Sequence, residues 1–584
     1  MAGQVAWGPD LLASLILLTA TGHYFATFVR AYGDRELFGR FRTRFLLAPV
    51  VLLATFIPMF ASGNGPVLVL VIVAWGFWHW LAQAFGFARI YDIKAGSFGR
   101  WTALLDKALV IVGFVGAVVL TDGATSQFAT VFMQAGVSLP DAAQFDVVQL
   151  IVASAMVLVV GAYLVNLIAT IVRGKPWSWQ KQVMHVMTIG YYWFAFAYLP
   201  NVLVAYVLYE FFHDIQYYAI TWLTCRQRVK RPNTSSWLNR MFRPGWVATI
   251  GFLLLMTAFG GIDLLGRDLL YPEGVTHQVW LAVIFTLAVL HYYYDGFIWK
   301  ARENTLGSDL GINSGLRSAV VPGLRHAASW GFFFVPIVML MSFGDRSLST
   351  REQAESLVAL APGDFMQQAQ LGFELSKAGD LEAAIACYEK SIALNPDYSQ
   401  SRANFGAALD LSGDLDYARE QYEAALTCRD QEGAHGRAHI NLGVILLLQN
   451  ERELAQEHFD AGRKVGGQDP AGRMSSLASV LPPKAMKRRQ ELYGAVLLMQ
   501  PSNNFARYEV ASQLLAQRRF EQAASHFRIL VKNVPSNSLG MIGLAKAQMQ
   551  LGEVQEARRM VERVLKMTPS DPAALALQAQ LNGR

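Results

Sequence analysis

The sequence predicts an all-α protein in which a polytopic helical membrane bundle is followed by a superhelical array of helical hairpins. Three observations predict it. The 584 residues are 53% hydrophobic and only 16% charged, whereas a soluble domain carries about 25% charged residues. Up to residue 343, apolar stretches long enough to cross a hydrocarbon core alternate with short loops. Beyond residue 343 the long apolar runs stop, and small residues, aromatics and prolines recur at a step of 34. The chain is too long for a single domain and too apolar to remain disordered. Its three cysteines exclude a disulfide scaffold and an all-cysteine zinc site.

The expected organisation is a histidine-rich multi-span membrane domain over residues 1–343, a linker over 344–362 and a repeat domain over 363–584. Ten spans are expected, at 7–29, 45–61, 66–90, 107–121, 147–172, 183–199, 200–224, 245–263, 278–299 and 326–343. The first is not read as a cleavable signal, because no basic region precedes it and it ends in Arg30. Arginine and lysine crowd alternate loops, from Arg30 to Arg44, Arg89 to Lys107, Arg173 to Lys181, Arg226 to Arg243 and Lys300 to Arg325. The opposite loops up to residue 300 hold essentially Arg267 alone. The positive-inside rule then puts the N-terminus and the repeat domain outside the cytoplasm. The expected location is a bacterial inner membrane, with the repeats in the periplasm. The basic loops are accounted for by topology and anionic lipid, so no nucleic-acid partner is implied.

In the second half, Gly372, Ala384, Tyr388 and Pro396 recur as Gly406, Ala418 and Tyr422, then as Gly443, Ala455 and Phe459 after a short insertion. The pattern returns in Ala511, Ala523, Phe527 and Pro535, and in Ala545, Ala557, Val561 and Pro569. Small residues let two helices touch, the aromatic fills the hole and proline ends the second helix. These residues resemble the tetratricopeptide repeat (TPR) family. The resemblance implies a superhelix whose concave surface binds a protein or peptide partner. Residues 468–503 fit poorly, with Pro482 and Pro483 interrupting the pattern. Cys387 and Cys428 are read as free core cysteines.

The chemistry is expected among the histidines of the first half. His23, His79, His185, His213, His291 and His326 come from six different spans, each at the cytoplasmic end or in the cytoplasmic half. Helical spacing pairs Glu210 with His213, His291 with Asp295, His79 with Gln83 and His23 with Thr27. A carboxylate this deep costs roughly 2.5–3.5 kcal/mol on insertion scales, which a bound cation, a proton or an ion pair must offset. The metal ligands expected are His23, His79, His185, His213 and His291, with iron the leading transition metal. Glu210, Asp214 and Asp295 are the expected catalytic carboxylates, as further ligands, proton relays or, for Asp214, a partner orienting a ring. His326, beside Arg325, reads as an ordinary membrane-edge histidine. His277, His435, His439, His458 and His526 read as solvated or structural.

Scattered histidines on many membrane helices resemble two groups of iron oxygenases. The desaturase and hydroxylase type carries HxxxH and HxxHH motifs; no HxxHH occurs here, and no HxxxH occurs in the first half. The segment YEFFHDIQYYAITW, with His79, His213 and His291 on separate spans, is similar in style to the Brp/Blh type of carotene dioxygenase. That resemblance implies metal-dependent oxidation of an apolar or lipid substrate reached from the cytoplasmic leaflet. Two other readings remain open. One is a membrane transferase that modifies lipid or envelope polymers with a histidine and a carboxylate; the other is a non-enzymatic repeat-bearing scaffold or transporter. No GxxxxGK loop and no HExxH occur, so nucleotide hydrolysis and the common zinc protease are not expected.

Overall fold

The computed structural model describes residues 9–97, 99–198, 202–230, 236–265, 274–299, 322–344, 348–429, 434–481 and 485–582. Side chains of 9–17, 19–20, 198, 202–212, 236–237, 263–265 and 322–325 lie outside that description. Every regular element among the described residues is helical, and the chain divides into two units, Met1–Gln367 and Gln368–Arg584.

The first unit contains α1 (Pro9–Gly33), α2 (Arg35–Ala61), α3 (Gly65–Ala95), α4 (Arg100–Val119), α5 (Asp122–Gln134), α6 (Ala142–Val172) and α7 (Trp179–Trp193). A π-helical turn, Phe194–Tyr198, extends α7. Then follow α8 (Val202–Arg228), α9 (Ser236–Met241), α10 (Trp246–Leu265), α11 (Val275–Ile298), α12 (Pro322–Phe343) and α13 (Thr350–Leu360). Short side chains start the helices. Asp34 accepts from the Glu36 and Leu37 amides at the head of α2, and Asp141 with Gln144 closes a capping box on α6. Gly96, left-handed at φ 70°, ends α3.

Each of the ten expected spans coincides with a helix, but a bundle of ten is more than the described residues show. Six helices are long and apolar enough to cross a membrane: α2, α3, α4, α6, α11 and His326–Phe343 of α12. Of the others, the α-helical part of α7 is 15 residues long, and the described side chains of α10 cover Trp246–Ile262, an apolar stretch. The α8 sequence carries Glu210, His213, Asp214, Arg226 and Arg228, and the opening side chains of α1 lie outside the description.

The main apolar core joins α1, α2, α3, α11 and α12 through Tyr24, Phe45, Phe56, Trp75, Tyr294 and Phe333. A second core packs Trp80, Phe114 and Tyr192 with Phe128 of α5 and Phe196 of the π turn. By contrast α6 leaves Leu150, Ile151, Val157, Leu158, Val165 and Ile168 more than half exposed. Two helices appear where the sequence suggested loop. Residues 122–134, read as outer loop, form α5, and the expected linker 344–362 contains α13, which starts with a Ser349–Glu352 capping box. Ala129 and Met133 of α5 pack on Leu357 and Leu360 of α13. Asp122 Oδ2 accepts from the Gly363 amide at 2.6 Å, and the Ser126 hydroxyl donates to Asp364.

The second unit is a stack of hairpins. These are α14 (Phe365–Ala378) with α15 (Leu381–Leu394), α16 (Ser399–Ser412) with α17 (Leu415–Thr427), and α18 (Ala434–Leu448) with α19 (Arg452–Lys464). Next are α20 (Pro470–Val480) with α21 (Met486–Met499), α22 (Asn504–Ala516) with α23 (Phe520–Asn533), and α24 (Ser538–Gln550) with α25 (Val554–Met567). The single helix α26 (Pro572–Asn582) closes the stack. The poorly fitting stretch 468–503 therefore also forms a helical pair, with Pro482 and Pro483 between its helices and outside the described residues. Neither Cys387 nor Cys428 is in a disulfide.

The repeat signature has a direct packing cause. A Cβ added at Gly372 would lie 2.9 Å from the Tyr388 ring, one at Gly406 2.7 Å from Tyr422, and one at Gly443 2.6 Å from Phe459. Each glycine is the space its aromatic occupies, and Ala384, Ala418 and Ala455 are buried alongside. Tyr422→Ala is expected to cost about 3–5 kcal/mol. Hydrogen exchange should show lost protection in α16 and α17 and little change in α24 and α25, because coupling in a repeat stack runs between neighbours.

Candidate metal centre

Four of the five expected ligands meet. His23 of α1, His79 of α3, His213 of α8 and His291 of α11 are all buried, and two of them, His23 and His291, have no exposed surface. α1 approaches α8 closely beside His23: a Cβ at Gly22 would lie 2.8 Å from the Tyr218 hydroxyl. His291 is the hub. Its Nε2 is 3.1 Å from His23 Nε2 and 3.1 Å from His79 Nε2. One donor nitrogen each from His23, His213 and His291 falls within a 4.8 Å circle, as do donors from His79, His291 and Asp295. His213 Nε2 is buried with no hydrogen-bond partner among the described residues.

The outer nitrogens decide what the inner ones present. His23 Nδ1 is 2.6 Å from Asp214 Oδ1. His23 thus turns Nδ1 to the carboxylate and Nε2 inward. At His291 the partner of Nδ1 is Thr27 Oγ1, at 2.5 Å. That hydroxyl is also 2.5 Å from the Tyr217 hydroxyl and 3.2 Å from Asp295 Oδ1. Tyr217 donates to the same Asp295 oxygen at 2.8 Å, and Trp299 Nε1 donates to it at 3.0 Å. Thr27 thus ties His291 Nδ1 to Tyr217 and Asp295, and His291 Nε2 faces His23 Nε2 and His79 Nε2. Arg30 lies over the Trp299 ring at 4.1 Å and donates to the Ile298 carbonyl at 3.2 Å, which fixes this end of α11.

The fit to a metal can be tested on this geometry. Two nitrogens bound to one tetrahedral ion at about 2.0–2.1 Å lie about 3.3 Å apart, close to the 3.1 Å observed for the two His291 pairs. Neutral imidazoles with a nearby carboxylate suit iron, copper or zinc. Asp295 Oδ2 is 3.8 Å from His79 Nε2 and 3.9 Å from His291 Nδ1. Asp214 sits behind His23, facing its outer nitrogen. On its other side His213 lines a small recess with Trp80, Gln83, Thr188, Tyr191 and Gln216. Gln83 Nε2 reaches the His213 carbonyl at 3.4 Å.

The remaining expected residues lie elsewhere. His185 Nε2 is 3.2 Å from Asp106 Oδ1, within a separate buried network. There Lys181 Nζ lies 3.0 Å from Asp92 Oδ1 and 3.3 Å from Asp106 Oδ1, while Arg89 bonds both carboxylates and Ser97 donates to Asp92 at 2.7 Å. Asp92 and Asp106 have no exposed surface. Arg89 and Lys181, read from sequence as cytoplasmic loop charges, are half of a neutral buried quartet. His326 Nδ1 pairs with the Tyr293 hydroxyl at 3.1 Å, apart from the centre. Glu210 is on α8, and its side chain lies outside the described residues. Thr27 appeared in the sequence only as a companion of His23, and its contact with His291 joins two helices far apart in the chain.

Comparison with known proteins adds to the second unit. Residues 368–398 and 514–581 match tetratricopeptide repeat family models. Among solved structures the chain is similar to YrrB, a TPR protein with an unusual peptide-binding site, at 15% identity over 39% of this chain and 99% of that one, with a TM-score of 0.22. It is similar to Pseudomonas aeruginosa pilF at 17% identity, over 40% of this chain and all of that one, with a TM-score of 0.21. A third similar chain comes from the APC/C Cut9–Hcn1 hetero-tetramer, at 13% identity over 84% of this chain and 98% of that one, with a TM-score of 0.24. No curated protein matches the chain. Residues 368–398 and 514–581 thus carry tetratricopeptide repeats, a unit that serves protein interaction.

Proposed function

We propose that residues 1–343 form an inner-membrane domain built around a transition-metal centre that oxidises an apolar or lipid substrate, and that the repeats bind a protein or peptide partner. The observation that carries this reading is the convergence of His23 Nε2 and His79 Nε2 on His291 Nε2, each at 3.1 Å, in a buried site. His23, His79, His213 and His291 would hold the ion, with Asp295 beside them. Iron, when bound there, supplies redox chemistry and dioxygen activation.

The chain's own groups have distinct tasks in this reading. Asp214 and Thr27 fix which nitrogen of His23 and of His291 faces inward. Asp295, held by Tyr217 and Trp299, exchanges a proton on the His79 side. The recess at His213 receives the reacting end of the substrate, and Trp80 and Tyr292 wall the centre against water. Tyr292 lies 5.0 Å from the His79 ring, centroid to centroid. The uncovered apolar faces of α6 and α12 favour a lipid surround and lateral entry of a long apolar molecule.

The His23–Asp214 pair also suits a second reading, in which the imidazole is the general base of a membrane transferase and the carboxylate its orienter. Metal content separates the two. Elemental analysis of the detergent-purified chain is expected to find one iron per chain, and Asp214→Asn should weaken that affinity by about 10- to 100-fold. Folded wild type that takes up no metal after anaerobic reconstitution with ferrous ion would overturn the metal reading in favour of the transferase.

A further inference from the structure

We infer that the third hairpin of the repeat domain carries a transition-metal site of its own, formed by His439 of α18 and His458 of α19. It would take a divalent ion of borderline softness, the class of Zn2+, Ni2+ and Cu2+.

The site follows from the register of the repeat. Gly443 and Phe459 lock α18 against α19, and the residues one turn before the glycine and one before the aromatic are brought face to face. In the second hairpin these positions are Arg402 and Gln421, and the guanidinium donates to the amide oxygen at 3.3 Å. In the first they are Gln368 and Cys387, and in the fifth Arg507 and His526. The third alone places two imidazoles there. The His439 and His458 Nδ1 atoms are 2.9 Å apart, with ring centroids at 5.1 Å. That spacing suits two neighbouring positions around one ion.

The surroundings support a cation. His435 precedes His439 by one helical turn, and its Nε2 is buried with no hydrogen-bond partner among the described residues. Burial, then the neighbouring His458 and His435, holds His439 below the ordinary histidine range. Burial lowers His458 as well, opposed by the negative charge of Glu423 and Glu457, with Arg419 acting in the same direction as burial. Burial thus favours the neutral form of both rings. Glu423, which Arg419 holds at 2.9 Å, supplies nearby charge to offset that of an ion. This proposal stands on the repeat unit and does not depend on the centre in the first half.

The test is a Zn2+ titration of the chelator-stripped full chain in detergent, followed by hydrogen exchange in peptides covering α18 and α19. About tenfold slower exchange there is expected once Zn2+ exceeds its dissociation constant about tenfold, with peptides of α24 and α25 unchanged. His458→Gln, which restores the glutamine found in the second hairpin, should keep the basal exchange rate and lose the Zn2+ response. His439→Gln should do the same. With Cu2+ in place of Zn2+, electron paramagnetic resonance should show imidazole nitrogen coupling that both variants lose. No response of α18 and α19 up to about 1 mM Zn2+, or the same response in both variants, would leave the pair as a hydrogen bond and overturn the proposal.

Discussion

Lys181→Met is expected to destabilise the first unit by about 3–5 kcal/mol, the cost of stranding a charge in a buried ion-pair network. Asp92 and Asp106 are fully buried, and Lys181 and Arg89 together balance them. Removing the ammonium leaves two carboxylates facing one guanidinium, and methionine fills the volume without supplying a proton. Thermal or denaturant unfolding in detergent would read the loss. The double replacement Lys181→Met with Asp92→Asn restores neutrality and should recover a large part of it. Equal destabilisation by the single and double variants would show that packing around Lys181, and not charge balance, holds α3, α4 and α7 together.

That network marks where sequence reading reached its limit. Hydropathy placed the helices well, since a run such as 147–172 has no other stable use. It said nothing of Asp92 and Asp106, which sit just beyond the ends of the apolar runs and look like loop residues. Their partners Arg89 and Lys181 were assigned to orientation because loop charge is the simplest source of a one-sided bias. α5 escaped because 13 residues with Asp122, Thr125, Ser126 and Gln127 neither span a membrane nor alternate clearly. α13 escaped because it is short and polar, and its pairing with α5 is a long-range contact that no local period encodes. The glycine-to-aromatic rule of the repeats was legible because both partners lie within one 34-residue unit. The His439–His458 pair lies within such a unit as well, but two helical histidines 19 residues apart carry no signal until the hairpin register is known.

The common depth of six histidines pointed to a single site, and four of them converge. Depth could not separate His185 and His326 from the rest, because it fixes position along each helix and leaves rotation about the helix axis open. Rotation is set here by neighbours such as Thr27 behind His291 and Asp106 in front of His185. Asp214, adjacent in sequence to His213, serves His23 of another helix, so sequence neighbours on α8 take different tasks.

His291→Ala is expected to abolish metal binding, whereas His185→Ala should leave it stoichiometric. The difference rests on position. The His291 Nε2 is the atom that both His23 and His79 approach at 3.1 Å, and its Nδ1 ties the centre to Thr27, Tyr217 and Asp295. Losing it removes one ligand and also frees Thr27 to reorient, so a residual site of His23, His79 and His213 loses its shared centre. His185 is bonded to Asp106 of the charge quartet, so its replacement should lower unfolding stability while metal content stays at the wild-type value. Elemental analysis of both variants, with unfolding measured on the same samples, separates the two effects. Metal retained in His291→Ala would mean that the four imidazoles form a hydrogen-bonded polar core. Metal lost in His185→Ala from protein of unchanged stability would place the ligand set nearer α7 than the geometry does.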